Sequence, residues 1–212
     1  MKHLLFTLAL FSLLFLFSCK NENDEFEVID WGAIELHASS RDELPYYGKH
    51  TAVFVDSLGE ELELGITGAF NGALPVNNRS KNKFETYTQI YDEFRLSKSA
   101  QIDIWARLTP EFSSAGPQGS EVADFMHIMT INPANWQTDT LLSKMIFQGS
   151  WPFWVDDNEH YSAITFWGRE FKDVERRKIS LPSGAEVFYN QEFGIVAFRY
   201  YDGKLWRLED LY

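Results

Sequence analysis

The densest group of potential ligand atoms in the chain is the run Asp156, Asp157, Asn158, Glu159 and His160. Carboxylate and amide oxygens at alternate positions are what Ca2+ takes, six to eight at a time, and Asp156 with Asn158 would supply them. A twelve-residue calcium loop needs glycine at its sixth position, however, and Tyr161 stands there. The cluster reads first as a hydrated acidic loop. Just ahead of it lie Trp151, Pro152, Phe153 and Trp154. Aromatic side chains are normally core, yet these sit beside proline and charge, where burying all of them together is difficult. Two indoles near carboxylates suit stacking on a sugar ring while its hydroxyls are bound. Trp151, Phe153, Trp154 and Tyr161 are therefore the candidate ligand-binding residues, and the ligand they suit is a glycan.

The remaining search for chemistry excludes classes. The chain has no Gly-x-Ser-x-Gly elbow, no His-Glu-x-x-His, no phosphate-cradling Gly-x-x-x-x-Gly-Lys and no Gly-x-Gly-x-x-Gly, so the common serine, zinc and nucleotide enzymes lose their signatures. His37, His50, His127 and His160 are scattered. Of the nearby carboxylates, Asp124 would face away from His127 on a strand, because facing alternates with period two. No metal site, cofactor or catalytic residue is assigned. A pair of carboxylates for glycosidic hydrolysis comes from distant strands and leaves no mark in sequence. Two function classes remain: a non-enzymatic binding or assembly module for a glycan or an envelope protein, and, as the alternative, a hydrolase acting on envelope or external polysaccharide.

Address is more legible than activity. Lys2 and His3 precede residues 4–17, which are apolar except for Thr7 and Ser12. That run suits a signal-peptide core and is shorter than the ~20 residues a membrane-spanning helix needs. It ends at Leu16, Phe17, Ser18 and Cys19, which resembles the lipobox of bacterial lipoproteins. The resemblance implies cleavage between Ser18 and Cys19, diacylglycerol on the Cys19 sulfur and further acylation of the new amino terminus. Cys19 is the single cysteine of the chain, so it can form no internal disulfide. With about 0.8 kcal/mol per buried methylene, two or more chains make attachment lasting. Residues 19–27 are polar and acidic and read as a flexible tether. They also resemble the acidic export signal of surface-displayed lipoproteins in some Gram-negative lineages, which implies the outer membrane and its outer face.

The formal net charge is −12, and loss of residues 1–18 removes only Lys2 among the charged residues, making the mature chain one unit more negative. Nucleic acid is excluded as a partner, and so is broad electrostatic docking on anionic lipid. Membrane contact is expected through the lipid alone. The one basic run, Arg176, Arg177 and Lys178, reads as a solvated strand edge or turn.

The elements that must position these residues are strands. Residues 161–208 carry five alternating apolar runs, separated by Gly168, by Pro182-Ser183-Gly184, by Gly194 and by Asp202-Gly203, the last a signal for a two-residue type I′ hairpin. Residues 51–55, 62–67, 84–96, 102–108 and 125–131 repeat the pattern. Residues 68–82 and 110–120, rich in Gly, Pro, Asn and Ser, read as long loops. In residues 140–148, Leu141, Leu142, Met145 and Ile146 fall on one face of a short helix capped by Asp139. The expected fold is mainly β, an antiparallel sheet forming a sandwich or curled half-barrel with one or two short helices, in a single domain over residues 28–212; α+β is the alternative. The run from Val187 to Phe198 with Asp202-Gly203-Lys204-Leu205-Trp206 resembles the carboxyl ends of small envelope lipoproteins and of curled half-barrel lipid-handling proteins. That resemblance implies β architecture and no activity.

Mass spectrometry of the polypeptide recovered from cells is expected to show an amino terminus at Cys19 carrying fatty acyl chains. Cys19→Ala should leave the membrane fraction, and an unmodified chain that retains Met1 would contradict the lipobox reading.

Overall fold

The computed structural model describes residues 27–80, 83–98, 102–113, 121–147, 158–178 and 181–212. Ser18, Cys19, Trp151, Phe153, Trp154 and Asp156 lie outside the described residues, as does the tether up to residue 26. The chain is mainly β: β1 (Glu27–Ile34), a 3-10 helix (Ala38–Glu43), β2 (Thr51–Val55), β3 (Glu61–Ser80), β4 (Lys83–Lys98), β5 (Ile102–Ser113), β6 (Glu121–Ile131), β7 (Thr138–Phe147), β8 (Asn158–Phe166), β9 (Arg169–Arg177), β10 (Glu186–Asn190), β11 (Gly194–Arg199) and β12 (Leu205–Leu211). Glu27, the last residue assigned to the tether, is thus the first residue of β1.

Two compact units divide the chain. The smaller takes residues 1–30 and 77–86; among its described residues are the start of β1 and the ends of β3 and β4, where Lys83 bonds Glu85 at 3.1 Å. The larger, residues 31–76 and 87–212, carries most of the sheet.

In the larger unit the strand order is β7-β6-β5-β4-β3-β2-β12-β11-β10-β9-β8, antiparallel throughout the described registers. The sheet curls until its edges, β7 and β8, face each other, nearly closing a barrel. Side chains tie β7 to the far part of the sheet: Asn158 Nδ2 on β8 donates to Ser143 O at 2.9 Å, Arg177 Nη1 on β9 to Thr140 O at 2.6 Å, and Tyr201 Oη in the turn before β12 to Asp139 at 2.7 Å. The arginine read as solvated therefore closes the sheet. Its neighbour Arg176 bonds Glu159 and Glu186 and lies over Phe188.

The core follows from alternation. Ile104, Ala106 and Leu108 are fully buried, as are Ala52, Phe54, Leu64, Leu96, Ile128, Leu142 and Phe198. Each large side chain contributes about 1.5–3 kcal/mol by leaving water. In β10 and β11 every residue from Val187 to Asn190 and from Gly194 to Phe198 is buried, so these strands are covered on both faces.

Four expectations are corrected. Of the residues expected as a short helix, 140–147 form no helix but belong to β7, which carries two β-bulges, and residue 148 lies outside the described residues. Register passes from Leu142 opposite Ile128 to Thr140 opposite Met129, and from Met145 opposite Phe125 to Phe147 opposite Asp124. Leu141 and Ile146 are the extra residues, and each bulge puts two neighbouring apolar residues against the sheet. Two bulges five residues apart imitate helical spacing. Residues 68–80 are the far half of β3: Gly68 and Gly72 mark places where the rings of Phe70, Phe94 and Tyr91 lie on the backbone, leaving no room for Cβ. Residues 110–113 likewise continue β5. Finally, the type I′ turn sits at Trp167-Gly168, both at positive φ (44° and 85°) between the paired Phe166 and Arg169. At Asp202-Gly203 only the glycine has positive φ, and the bonds Gly203 N to Tyr200 O (2.9 Å) and Tyr200 N to Lys204 O (3.2 Å) define a three-residue loop with a glycine bulge.

Gly194 tests the packing. Its φ is +78°, and a Cβ there would overlap the hydroxyl of the buried Tyr46, which accepts a bond from Ile195 N at 2.7 Å. Gly194→Ala is expected to cost on the order of 3–4 kcal/mol in urea unfolding, from left-handed strain plus overpacking. Gly203→Ala, with φ +79° but nothing within 4 Å, should cost about 1–2 kcal/mol from strain alone. Equal losses would disprove the Tyr46 contact.

Candidate functional site

The segment preceding β2 lies against the sheet and brings charge with it. Asp92 on β4 is buried and accepts Arg41 Nε (2.7 Å), Tyr47 Oη (2.7 Å) and Asn71 N (2.8 Å). Burial alone would raise its pKa, but those three donors and the arginine's charge outweigh it and hold the carboxyl below the ordinary range. At the end of the 3-10 helix the Glu43 carbonyl accepts the Tyr189 hydroxyl. These anchors place the Glu43 carboxylate over β7.

There it meets Lys144 Nζ at 3.5 Å, while Glu175 on β9 meets the same ammonium at 2.9 Å. Burial would lower the lysine pKa; the hydrogen bond to Glu175 and the charges of Glu175 and Glu43 more than offset it, so the ammonium titrates above the ordinary lysine value. The Glu43 and Glu175 Oε2 atoms are buried and have no hydrogen-bond partner. Lys144 and Glu175 line a cavity of about 390 Å³ with His160, Lys172, Asp173, Tyr189, Asn190, Gln191 and Glu192. Asp173 sits at φ 51° within β9, a left-handed conformation that interrupts the ladder and turns its carboxylate toward His160 at 3.9 Å. Asn190 donates to Lys172 O at 3.0 Å and fixes the cavity rim. The result is a recess walled by cations, carboxylates and amides, beside the seam between β7 and β8.

Of the residues singled out by sequence, two are described. Tyr161 is half-buried, packs against the core and donates to Glu159 at 2.6 Å. Asn158 ties β8 to Ser143 O. Glu159 also pairs with Arg176 at 3.0 Å, so the described half of the acidic cluster is engaged with protein groups. Among the described residues no group of His, Cys, Asp or Glu is arranged to hold a metal ion. Asp124 and His127 do face apart, as alternation requires: Asp124 accepts His37 N and Ser40 Oγ, while His127 joins Glu111 and Ser143, each at 3.0 Å. Ser143 lies within β7, on the face opposite Lys144, and lacks the sharp strand-to-helix turn that exposes a nucleophile. Lys144, Glu43 and Glu175 were not found from sequence, and Asp124 was considered only as a neighbour of His127. Lys144 alone left a signal, as the one charge in the apolar stretch 141–147.

Comparison of the chain with protein-family models, with curated proteins and with solved structures returned no match.

Four phenols set an alkaline limit, Tyr46 and Tyr189 buried and Tyr47 and Tyr201 only partly covered. Desolvation raises the pKa of Tyr46, Tyr47 and Tyr189, and of Tyr201, where the bond to Asp139 adds to it. A raised folded pKa, for these phenols as for Lys144, contributes stability that is full below the unfolded value of about 10 and is lost as pH rises through the folded one. Spectrophotometric titration should show these four tyrosines remaining protonated beyond pH ~10 and ionising together as the protein unfolds. Smooth titration of all tyrosines near the free value would contradict this.

Proposed function

We propose that the chain is a lipid-anchored module of the bacterial outer membrane, displayed at the cell surface, that binds a hydroxyl-rich ligand of the glycan class without transforming it. The observation that supports this reading is the recess at the seam: Lys144 paired with Glu175 in its wall, one carboxylate oxygen of Glu175 without a donor, and a rim of Asn190, Gln191, Glu192 and Lys172. Sugar hydroxyls both donate and accept, and a mixed wall of carboxylate, amide and ammonium satisfies them in both senses. Trp151 and Trp154, in the chain segment between β7 and β8, would add stacking surface to the same ligand.

The hydrolase alternative has one point in its favour. Glu43 Oε2 and Glu175 Oε1 both approach a single ammonium, so they lie no farther apart than the sum of 3.5 and 2.9 Å, within reach of the ~5–5.5 Å spacing of retaining glycosidases. Such an enzyme needs one carboxyl to carry the proton it gives the leaving group. Here the proton of the cluster is held by Lys144, whose pKa is raised. Binding is therefore the better reading.

Titration of the chain against a panel of envelope and extracellular polysaccharides, followed by calorimetry, should find a ligand. Lys172 and Gln191 project at the rim, and the double variant Lys172→Ala, Gln191→Ala is expected to fold normally and to weaken binding about tenfold, close to 1.4 kcal/mol. Trp154→Ala should weaken it as well. Absence of binding across the panel, or release of reducing sugar during the titration, would overturn the proposal.

A further inference from the structure

A second cavity opens at the start of the 3-10 helix, independent of the recess at the seam. It holds about 390 Å³ and is lined by Glu35, Leu36, His37, Ala38, Val122 and Asp124. Asp124 is 1% exposed, yet its two oxygens are treated unequally. Oδ2 accepts His37 N at 2.7 Å and Ser40 Oγ at 2.6 Å. Oδ1 is buried and has no hydrogen-bond partner, and among the described residues no cation pairs with this carboxylate. Both donors to Oδ2 are neutral, so the charge is solvated by dipoles on one side only. A buried carboxyl in that condition is costly unless something completes it.

We infer that this cavity binds a primary ammonium group carried on an aliphatic chain. The ammonium seats against Asp124 Oδ1, with a second negative charge supplied by Glu35, which is exposed and also lines the cavity, and the methylenes lie along Leu36, Ala38 and Val122. A guanidinium fits less well, because its paired N–H groups need both carboxylate oxygens and Oδ2 is already taken twice. A divalent metal fits less well again, since the described residues offer no set of three ligating side chains. The negative charge of the whole chain, −12 by formal count, draws cations toward such a site. The same chemistry is supplied by a free alkyl amine or by a lysine side chain of another envelope protein.

The test uses the full chain in detergent, with methyl NMR signals of Leu36 and Val122 as reporters. The probes are n-butylamine, Nα-acetyl-lysine methylamide and, as the uncharged isostere, n-butanol. Both amines are expected to shift the reporters and n-butanol not to. Asp124→Asn keeps an oxygen for His37 N and Ser40 Oγ, so it should fold with an unfolding midpoint at or above that of the unaltered chain, and should bind the amines at least tenfold more weakly. Glu35→Gln, at an exposed position, gives the same test without touching a buried group and should also weaken binding. Tighter binding of the lysine derivative assigns the site to a protein partner, and tighter binding of butylamine to a free amine. Equal shifts from n-butanol, undiminished binding in both variants, or a large fall in the Asp124→Asn midpoint would overturn the inference.

Discussion

A sheet that curls toward closure with its two edge strands adjacent in the chain leaves two rows of backbone donors and acceptors facing each other, and something must satisfy them. In this protein β7 and β8 do not complete a ladder. Arginine and asparagine side chains reach across instead, Arg177 to Thr140 O and Asn158 to Ser143 O, while Lys144 on β7 is held by Glu175 on β9. Side-chain bridging leaves space that a backbone ladder would have filled, and that space is the charged recess. The open seam also solves the edge problem: a bare strand edge invites pairing with other chains, and charged side chains laid over it prevent this.

The segment between β1 and β2 is the second determinant. It is short of regular structure, yet it is pinned at several points by buried bonds: Ser40 to Asp124, Arg41 and Tyr47 to Asp92, Tyr46 to Ile195 N, and the Glu43 carbonyl to Tyr189. Each bond is modest in net terms, about 1 kcal/mol, but leaving any of these buried groups unmet would cost more. The consequence is that one six-residue helix links the surroundings of both cavities. Its start borders the Asp124 site and its end delivers Glu43 to Lys144.

Legibility varied by element for identifiable reasons. The five strands of the carboxyl-terminal region follow the expected meander, because each is a short apolar, β-branched or aromatic run closed off by turn residues. β7 misled because its two bulges place Leu141 beside Leu142 and Met145 beside Ile146, a spacing that a helix also produces. The glycines and asparagines of β3 looked like loop punctuation, although Gly72 is there to admit the Tyr91 ring and Asn71, at φ 52°, to accept Arg41 through its side-chain oxygen. Trp167 at positive φ could not be anticipated, since its position in the turn follows from pairing of Phe166 with Arg169 and not from its own preference.

What the sequence alone determined is the class of fold: period-two hydrophobicity and turn chemistry are local patterns, each complete within a few residues. What only the tertiary structure decided is where the chemistry lies. Lys144, Glu43 and Glu175 are far apart in the chain, and Asp124 becomes notable only when its second oxygen is seen to lack a donor. Both sites arise from how far the sheet curls and from where one short segment is pinned upon it. Those are sums of many small long-range contacts, and a charge's partners across such a fold have no counterpart in the spacing of its neighbours along the chain.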